Sequence, residues 1–236
     1  MTVPIDGYAR YAVFWAPPKG SALAKIGAAW LGWDAEARAA PPRQRLDLPD
    51  GIAAETITAA PRRYGLHATL KPPIRLAEGL TPDDLDGALA DLARTRAAID
   101  APGLTLGDSL GFVSLRPAKA STALDALAAA CVTTLDHFRA PAPAEETARR
   151  RAAGLTERQE RHLTVWGYPY VLEEFRFHVT LSSRLAPDAA QAVVAALTPH
   201  FAPSLGPGLS VSEICLFGDP GDGAPAHLLR RYALTG

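Results

Sequence analysis

Cysteine is scarce in this chain, two in 236 residues, and so is any excess of charge, with 24 Lys and Arg against 25 Asp and Glu. Cys131 and Cys215 stand far apart without C-x-x-C spacing or flanking histidine pairs, so they read as buried small apolar residues. The balanced charge leaves no global field to recruit nucleic acid or an anionic membrane, so any anion binding must be local. No stretch approaches the roughly 18 apolar residues that a membrane span needs, and Met1-Thr-Val-Pro-Ile-Asp-Gly has neither a basic nor an apolar run. A cytoplasmic, reducing location is therefore expected. Glycine-rich phosphate loops of Walker or dinucleotide type are absent, and Gly218-Asp-Pro-Gly-Asp-Gly reads as a hairpin turn. His137, His162, His200 and His227 lack partners at ligand spacing, so no metal site and no cofactor is expected.

What is present is an apolar fraction of 48% with 21% charged residues, enough to bury a sizeable core in one large domain or two small ones. Residues 8 to 16 combine aromatic and β-branched side chains and stop at Pro17-Pro18, which predicts a strand. Ser21 caps a helix to about Trp33, and a polar, proline-bearing loop from Asp34 to Ala60 leads into a strand from Tyr64 to Ile74. Thr81-Pro-Asp-Asp opens a helix to about Ala98 with a capping box. A strand over 104–115 and a helix over 119–138 follow. Residues 139 to 170 differ in composition and read as a helical insertion or lid in two pieces broken near Gly154, with Thr156 and Gln159 as a capping box. Its Arg149-Arg-Arg run reads as a solvated helix face that, over a cleft, would meet a substrate's remote charge. Strands over 174–182, 209–217 and 227–234 and a helix over 187–201 complete a second half that echoes the first.

The echo extends to chemistry. Leu66-His-Ala-Thr-Leu70 and Phe177-His-Val-Thr-Leu181 share one pattern: apolar, His, small apolar, Thr, Leu. Alternation in a strand puts His67 with Thr69, and His178 with Thr180, on faces opposite their apolar neighbours. Extended, it adds Arg63, Gly65 and Lys71 to the first polar face and Glu174, Arg176 and Ser182 to the second. A base, a hydroxyl and a cation on each face suit phosphoryl chemistry: one imidazole takes a proton, a second donates one, and hydroxyls and cations hold the charged oxygens. Histidine's pKa near 6.5 allows either state.

The tandem H-x-T pair in a duplicated chain resembles the 2H phosphoesterase superfamily. More narrowly, Pro61-Arg-Arg-Tyr-Gly-Leu-His-Ala-Thr-Leu-Lys-Pro-Pro, Leu135-Asp-His-Phe-Arg-Ala-Pro, Trp166-Gly-Tyr-Pro-Tyr-Val and Phe175-Arg-Phe-His-Val-Thr-Leu are similar to the branch associated with bacterial phosphonate-utilisation operons. The resemblance implies an α+β, bilobal, duplicated fold with two antiparallel sheets around a central cleft, helices outside and internal pseudo-twofold symmetry. On this chain the lobe-forming repeats are expected at about 8–138 and 171–236 within a single domain, 1–236. It implies metal-independent phosphodiesterase action, with His67 and His178 as acid and base in either order and Thr69 and Thr180 on the phosphate. Arg176, Lys71 and Tyr64 are added as candidate phosphate contacts, although alternation from His67 assigns Tyr64 to the opposite face. The implied substrate is a small phosphorylated molecule, a cyclic ribose phosphate such as 5-phosphoribosyl 1,2-cyclic phosphate, or a nucleotide. Competing readings are processing of RNA 2′,3′-cyclic or 2′-5′ ends and a module that binds nucleotides or RNA ends without turnover. The neutral charge and the lack of a basic aromatic stripe weigh against long nucleic acid.

Overall fold

Buried on both faces from Tyr11 to Trp15, the first strand, β1 (Arg10–Trp15), presents Tyr11, Val13 and Trp15 to one core and Ala12 and Phe14 to another. The computed structural model describes residues 4–236 apart from Gln44 and Leu110, so Met1–Val3 and the middle of the strand expected over 104–115 lie outside the described residues. The other strands are β2 (Ala68–Ile74), β3 (Ile99–Pro102), β4 (Leu104–Ser109), β5 (Phe112–Pro117), β6 (Val179–Thr180), β7 (Gly208–Val211), β8 (Glu213–Asp219) and β9 (His227–Ala233). The helices are α1 (Ala22–Leu31), α2 (Ala54–Ile57), α3 (Ala59–Arg62), α4 (Pro82–Arg94), α5 (Thr122–Thr134), α6 (Ala144–Arg151), α7 (Glu157–Trp166) and α8 (Pro187–Phe201). None is long and apolar enough to cross a membrane among the described residues.

Local chemistry accounts for the helix starts. Ser21 accepts from the Ala24 N–H, and Thr81 with Asp84 and Thr156 with Gln159 form complete capping boxes. The strand expected over 104–115 is two, β4 and β5, because Gly111 takes φ 82° and donates its N–H to the Asp108 carboxylate, turning the chain back. Of the strand expected over 174–182 only Val179–Thr180 pairs, although burial still alternates from Phe175 to Thr180.

The fold is α+β with two antiparallel sheets of unequal size. One has seven strands in the order β4-β5-β6-β2-β1-β8-β9, and the other is the pair β3-β7. Exchanging β1, β2, β3 and β4 for β5, β6, β7 and β8 reproduces the order reversed, with β9 added at one edge. By strand order the halves therefore meet near residue 110, which differs from the expected 8–138 and 171–236. The reason is that β4 pairs with β5 and β8 pairs with β1, so each half completes the other's part of the sheet. Residues 139–170 lie within the second half, where the first half has the loop bearing α2 and α3.

Helices α1, α4, α5 and α8 bury Trp30, Leu89, Leu127 and Leu197 against one face of the large sheet, in a core with Val13, Leu70, Leu115, Val179 and Leu216. At about 25 cal/mol per Å² of apolar surface, this burial is the main stabilising contribution. The opposite face is free of these helices and carries both H-x-T strands at its centre.

Candidate active site

The pairing of β2 with β6 through Ala68 and Val179 fixes the site. Carrying this antiparallel register one residue each way sets His67 beside Thr180 and Thr69 beside His178, all four on the helix-free face. Their neighbours on the outer strands differ. Phe14 of β1 pairs with Thr69, whereas Ser114 of β5 pairs with Thr180. The same register puts Arg116 beside His178 and Ala16 beside His67.

Both imidazoles are oriented alike. His67 Nδ1 lies 2.9 Å from the Gly65 carbonyl, and His178 Nδ1 lies 2.7 Å from the Arg176 carbonyl. A carbonyl only accepts, so each Nδ1 bears the hydrogen and each Nε2 is left for the cleft. Among the described residues neither Nε2 has a protein partner, and the hydroxyls of Thr69 and Thr180 have none either. Gly65 adopts φ 69°, a left-handed turn that points its carbonyl at the ring.

The surroundings of the two rings are unlike. His67 is partly buried and packs on Phe14 at 4.1 Å between centroids, Tyr64 at 5.6 Å and Phe217 at 6.3 Å. Burial pushes its pKa down to about 4; the Gly65 carbonyl resists the shift and the nearby charge of His178 adds to it. His178 is exposed and has no ring contact among the described residues. A cavity of about 320 Å³ adjoins the His67 side, lined in part by Ala16, Leu66 and Phe217 and by both cationic and acidic residues, Lys25, Asp34 and Glu36 among them.

Of the added candidates, Tyr64 joins the site but through a carboxylate. The alternation that assigned it to the opposite face does not reach it, because α3 ends only at Arg62 and β2 begins at Ala68. Its hydroxyl donates to Asp219 Oδ2 at 2.7 Å while its ring lies against His67 and Phe14, and burial together with that carboxylate raises its pKa. Asp219, 1% exposed, also receives Arg10 at 2.5 Å, Arg63 at 3.1 Å and the Gly221 N–H at 3.0 Å. Burial alone would raise its pKa, but bonds from Tyr64, Gly221 and Arg63 hold it below the usual carboxylate range. This hub was not visible in the sequence, since Asp219 sits in a segment that signals only a turn.

Lys71 does not reach the cleft. The pairing of Val13 with Lys71 and of Phe14 with Thr69 leaves Leu70 as an extra residue, a bulge that turns Leu70 and Lys71 to the same side. Lys71 is 2% exposed, and its ammonium donates to the Val132 carbonyl at 3.1 Å and to Asp136 at 3.3 Å. Arg176 is on the His178 face as expected, yet its guanidinium turns back to the carbonyls of Glu173 and Phe175. Its contribution to the site is the backbone carbonyl that orients His178.

The helical segment 139–170 is tied at both ends. Ala77 and Phe138, and Arg75 and Ala140, share backbone hydrogen bonds, and Arg75 pairs with Glu146 at 3.1 Å. Gln159 donates to Glu174 at 3.0 Å. In the arginine run, Arg150 bonds Glu146 and lies over Tyr168, while Arg151 bonds Glu160. Cys131 and Cys215 are buried as expected, and burial pushes both thiols up to about 12.

Residues 69–227 match the model of the family described as "Protein of unknown function (DUF1045)". Curated relatives include the "Ribose 1,5-bisphosphate phosphokinase PhnN" of Laribacter hongkongensis (strain HLHK9), 38% identical over 225 residues, 94% of this chain and 51% of that protein. The protein of the same name from Janthinobacterium sp. (strain Marseille) is 33% identical over 241 residues, 99% of this chain and 52% of that protein. The chain thus spans about half the length of these relatives. Among solved structures, TT0787 of Thermus thermophilus has a TM-score of 0.47 at 18% identity, covering 96% of this chain and 98% of that one. E. coli LigT complexed with NADP+ has a TM-score of 0.44 at 18% identity, covering 97% and 99%.

Proposed function

The chain belongs to the DUF1045 family and carries the paired H-x-T strands of a 2H phosphoesterase, and we propose that it opens 5-phosphoribosyl 1,2-cyclic phosphate without a metal, by two-histidine acid-base catalysis. The observation that carries this reading is the crossed pairing of His67 with Thr180 and His178 with Thr69 across one strand pair, with both Nε2 atoms free. The difference between the rings supports a division of labour. His67, desolvated by Phe14, Tyr64 and Phe217, stays neutral and offers its Nε2 lone pair as the base. His178, exposed to solvent, is the acid that delivers a proton to the leaving oxygen.

In this mechanism Thr69 and Thr180 donate to the non-bridging oxygens as their charge grows. Water attacks phosphorus, its proton passes to His67 Nε2, the bond from phosphorus to O2 breaks, and O2 receives the proton from His178 Nε2. The phosphate stays on O1, and the product is ribose 1,5-bisphosphate. That product is the substrate in the name of the curated relatives, which are about twice as long as this chain. The present sequence has no G-x-x-x-x-G-K-[ST] loop, so the reading gives these residues the ring-opening step that precedes such a phosphokinase.

Phosphorus NMR of the purified protein with EDTA, in ¹⁸O-labelled water, tests the reading. Conversion of the cyclic phosphate to ribose 1,5-bisphosphate with the label on the 1-phosphate is the expected result. Opening of a 2′,3′-cyclic nucleotide alone would move the substrate to RNA ends. A rate lost in EDTA and restored by a divalent ion would overturn the metal-free mechanism.

A further inference from the structure

The β5 side of the cleft holds a cation and a hydroxyl that the proposed chemistry does not use. Phe112, Ser114 and Arg116 alternate with the core residues Val113 and Leu115, so they stand on the same face as Thr180 and His178. Thr105, Gly107 and Ser109 of β4 continue that face outward through their pairing with Arg116, Ser114 and Phe112. None of these positions is acidic.

Arg116 lies next to His178 in the pairing, and its guanidinium leans over Gly107, where a Cβ would sit 3.5 Å from Nη2. Its bond is to a backbone carbonyl, that of Asp108 at 3.0 Å, and no carboxylate pairs with it among the described residues. An arginine held by a carbonyl keeps its full charge for a ligand. Ser114, two residues earlier on the same strand face, is 1% exposed and its hydroxyl has no hydrogen-bond partner, a costly arrangement in a finished core. The equivalent positions in the first half are Ala16 and Phe14, which offer neither charge nor hydrogen bond.

We propose that Arg116 and the hydroxyl-rich surface of β4 and β5 form a subsite for a second, acyclic phosphate, selecting substrates that carry a phosphomonoester beyond the ring that is opened. Strand spacing places this subsite one to two strands outside the H-x-T pair, roughly 5 to 10 Å, which is the reach of one sugar ring. A bidentate guanidinium suits a dianionic phosphate. Arg116 swings from the Asp108 carbonyl to the ligand, and Thr105 and Ser109 flank it. The proposal rests on the cyclic-phosphodiesterase reading for its kinetics, but the binding site stands on its own geometry.

The test uses two ring-opening substrates, ribose 1,2-cyclic phosphate with and without a 5-phosphate, and one binding probe, ribose 5-phosphate, which has no cyclic ester. Arg116→Gln is expected to lower kcat/KM for the 5-phosphorylated substrate by about 10- to 100-fold and to leave the unphosphorylated one unchanged. Its affinity for ribose 5-phosphate, read by calorimetry, is expected to fall by the same factor, while His178→Gln binds the probe as the wild type does. Arg116→Lys, checked by thermal unfolding, is expected to recover only part of the preference because an ammonium cannot bond bidentately. Equal loss on both substrates would place Arg116 on the scissile phosphate and overturn the proposal, as would unchanged discrimination. If the wild type opens neither substrate yet binds ribose 5-phosphate through Arg116, the subsite stands and the cyclic-phosphodiesterase reading falls.

Discussion

The two H-x-T strands are near copies in sequence and differ sharply in setting. On the first, the outer strand supplies Phe14 and the next supplies Phe217, so His67 lies in an apolar box with Tyr64. On the second, the outer strand supplies Ser114 and Arg116, polar residues in place of aromatic ones, and His178 is exposed. A duplicated motif thus gives two imidazoles with the same Nδ1 anchor in different surroundings, and burial lowers the pKa of His67. Symmetry builds the constellation, and departures from symmetry on the neighbouring strands are what the proposed roles rest on.

Removing either ring breaks the comparison most severely. His67→Gln and His178→Gln are each expected to lower kcat by about 10² to 10⁴-fold, measured by phosphorus NMR, with ligand binding retained. Next are the hydroxyls: Thr69→Val and Thr180→Val each remove one bond to a charged oxygen, an expected loss of about 10- to 100-fold in kcat/KM. A much larger loss in one than the other would show that the two threonines do not share the phosphate.

Phe14→Ser sharpens the comparison by making the first half like the second. With His67 at about 4, the base is neutral at pH 5; rehydration moves its pKa toward the ordinary 6.5 and protonates most of it, costing about tenfold in rate at pH 5 and little at pH 8. The pH-rate profile reads this as a low-pH limb displaced upward. The linked stability has a definite sign. Because the folded His67 pKa is depressed, the unfolded chain binds more protons between about pH 6.5 and 4, and this contribution to stability is lost as pH falls through that window. Urea unfolding of wild type and His67→Gln should differ in slope against pH there and be parallel above pH 7.

The smallest effect is expected at Lys71, whose side chain is buried on the core face. Lys71→Met should leave kcat/KM for either substrate unchanged while altering stability, and a selective loss of activity would contradict the bulge at Leu70.

Much of this was legible in the sequence because it depends on short-range pattern. The capping residues Ser21, Thr81 and Thr156, the two-piece helical segment around Gly154, the helix from Pro187 to Phe201 and the shared face of each His and Thr follow from neighbours within four residues. What could not be read depends on pairing between distant strands. Alternation carried Lys71 onto the wrong face because a bulge is set by the partner strand β1. Nor could the sequence show that β4 pairs with β5, a contact between the two halves of the strand order. Asp219, Phe14, Ser114 and Arg116 carry no motif, and only the register brings them beside the histidines or the residues that pack on them.

The division of labour is the central claim, and a substrate that needs no acid tests it directly. In a 1,2-cyclic phosphorothiolate the leaving oxygen is replaced by sulfur, which departs without a proton. The account predicts that His178→Gln opens this substrate at close to the wild-type rate while His67→Gln remains inactive. Rescue of His67→Gln with His178→Gln inactive would reverse the roles, and equal failure of both would contradict the assignment of one base and one acid.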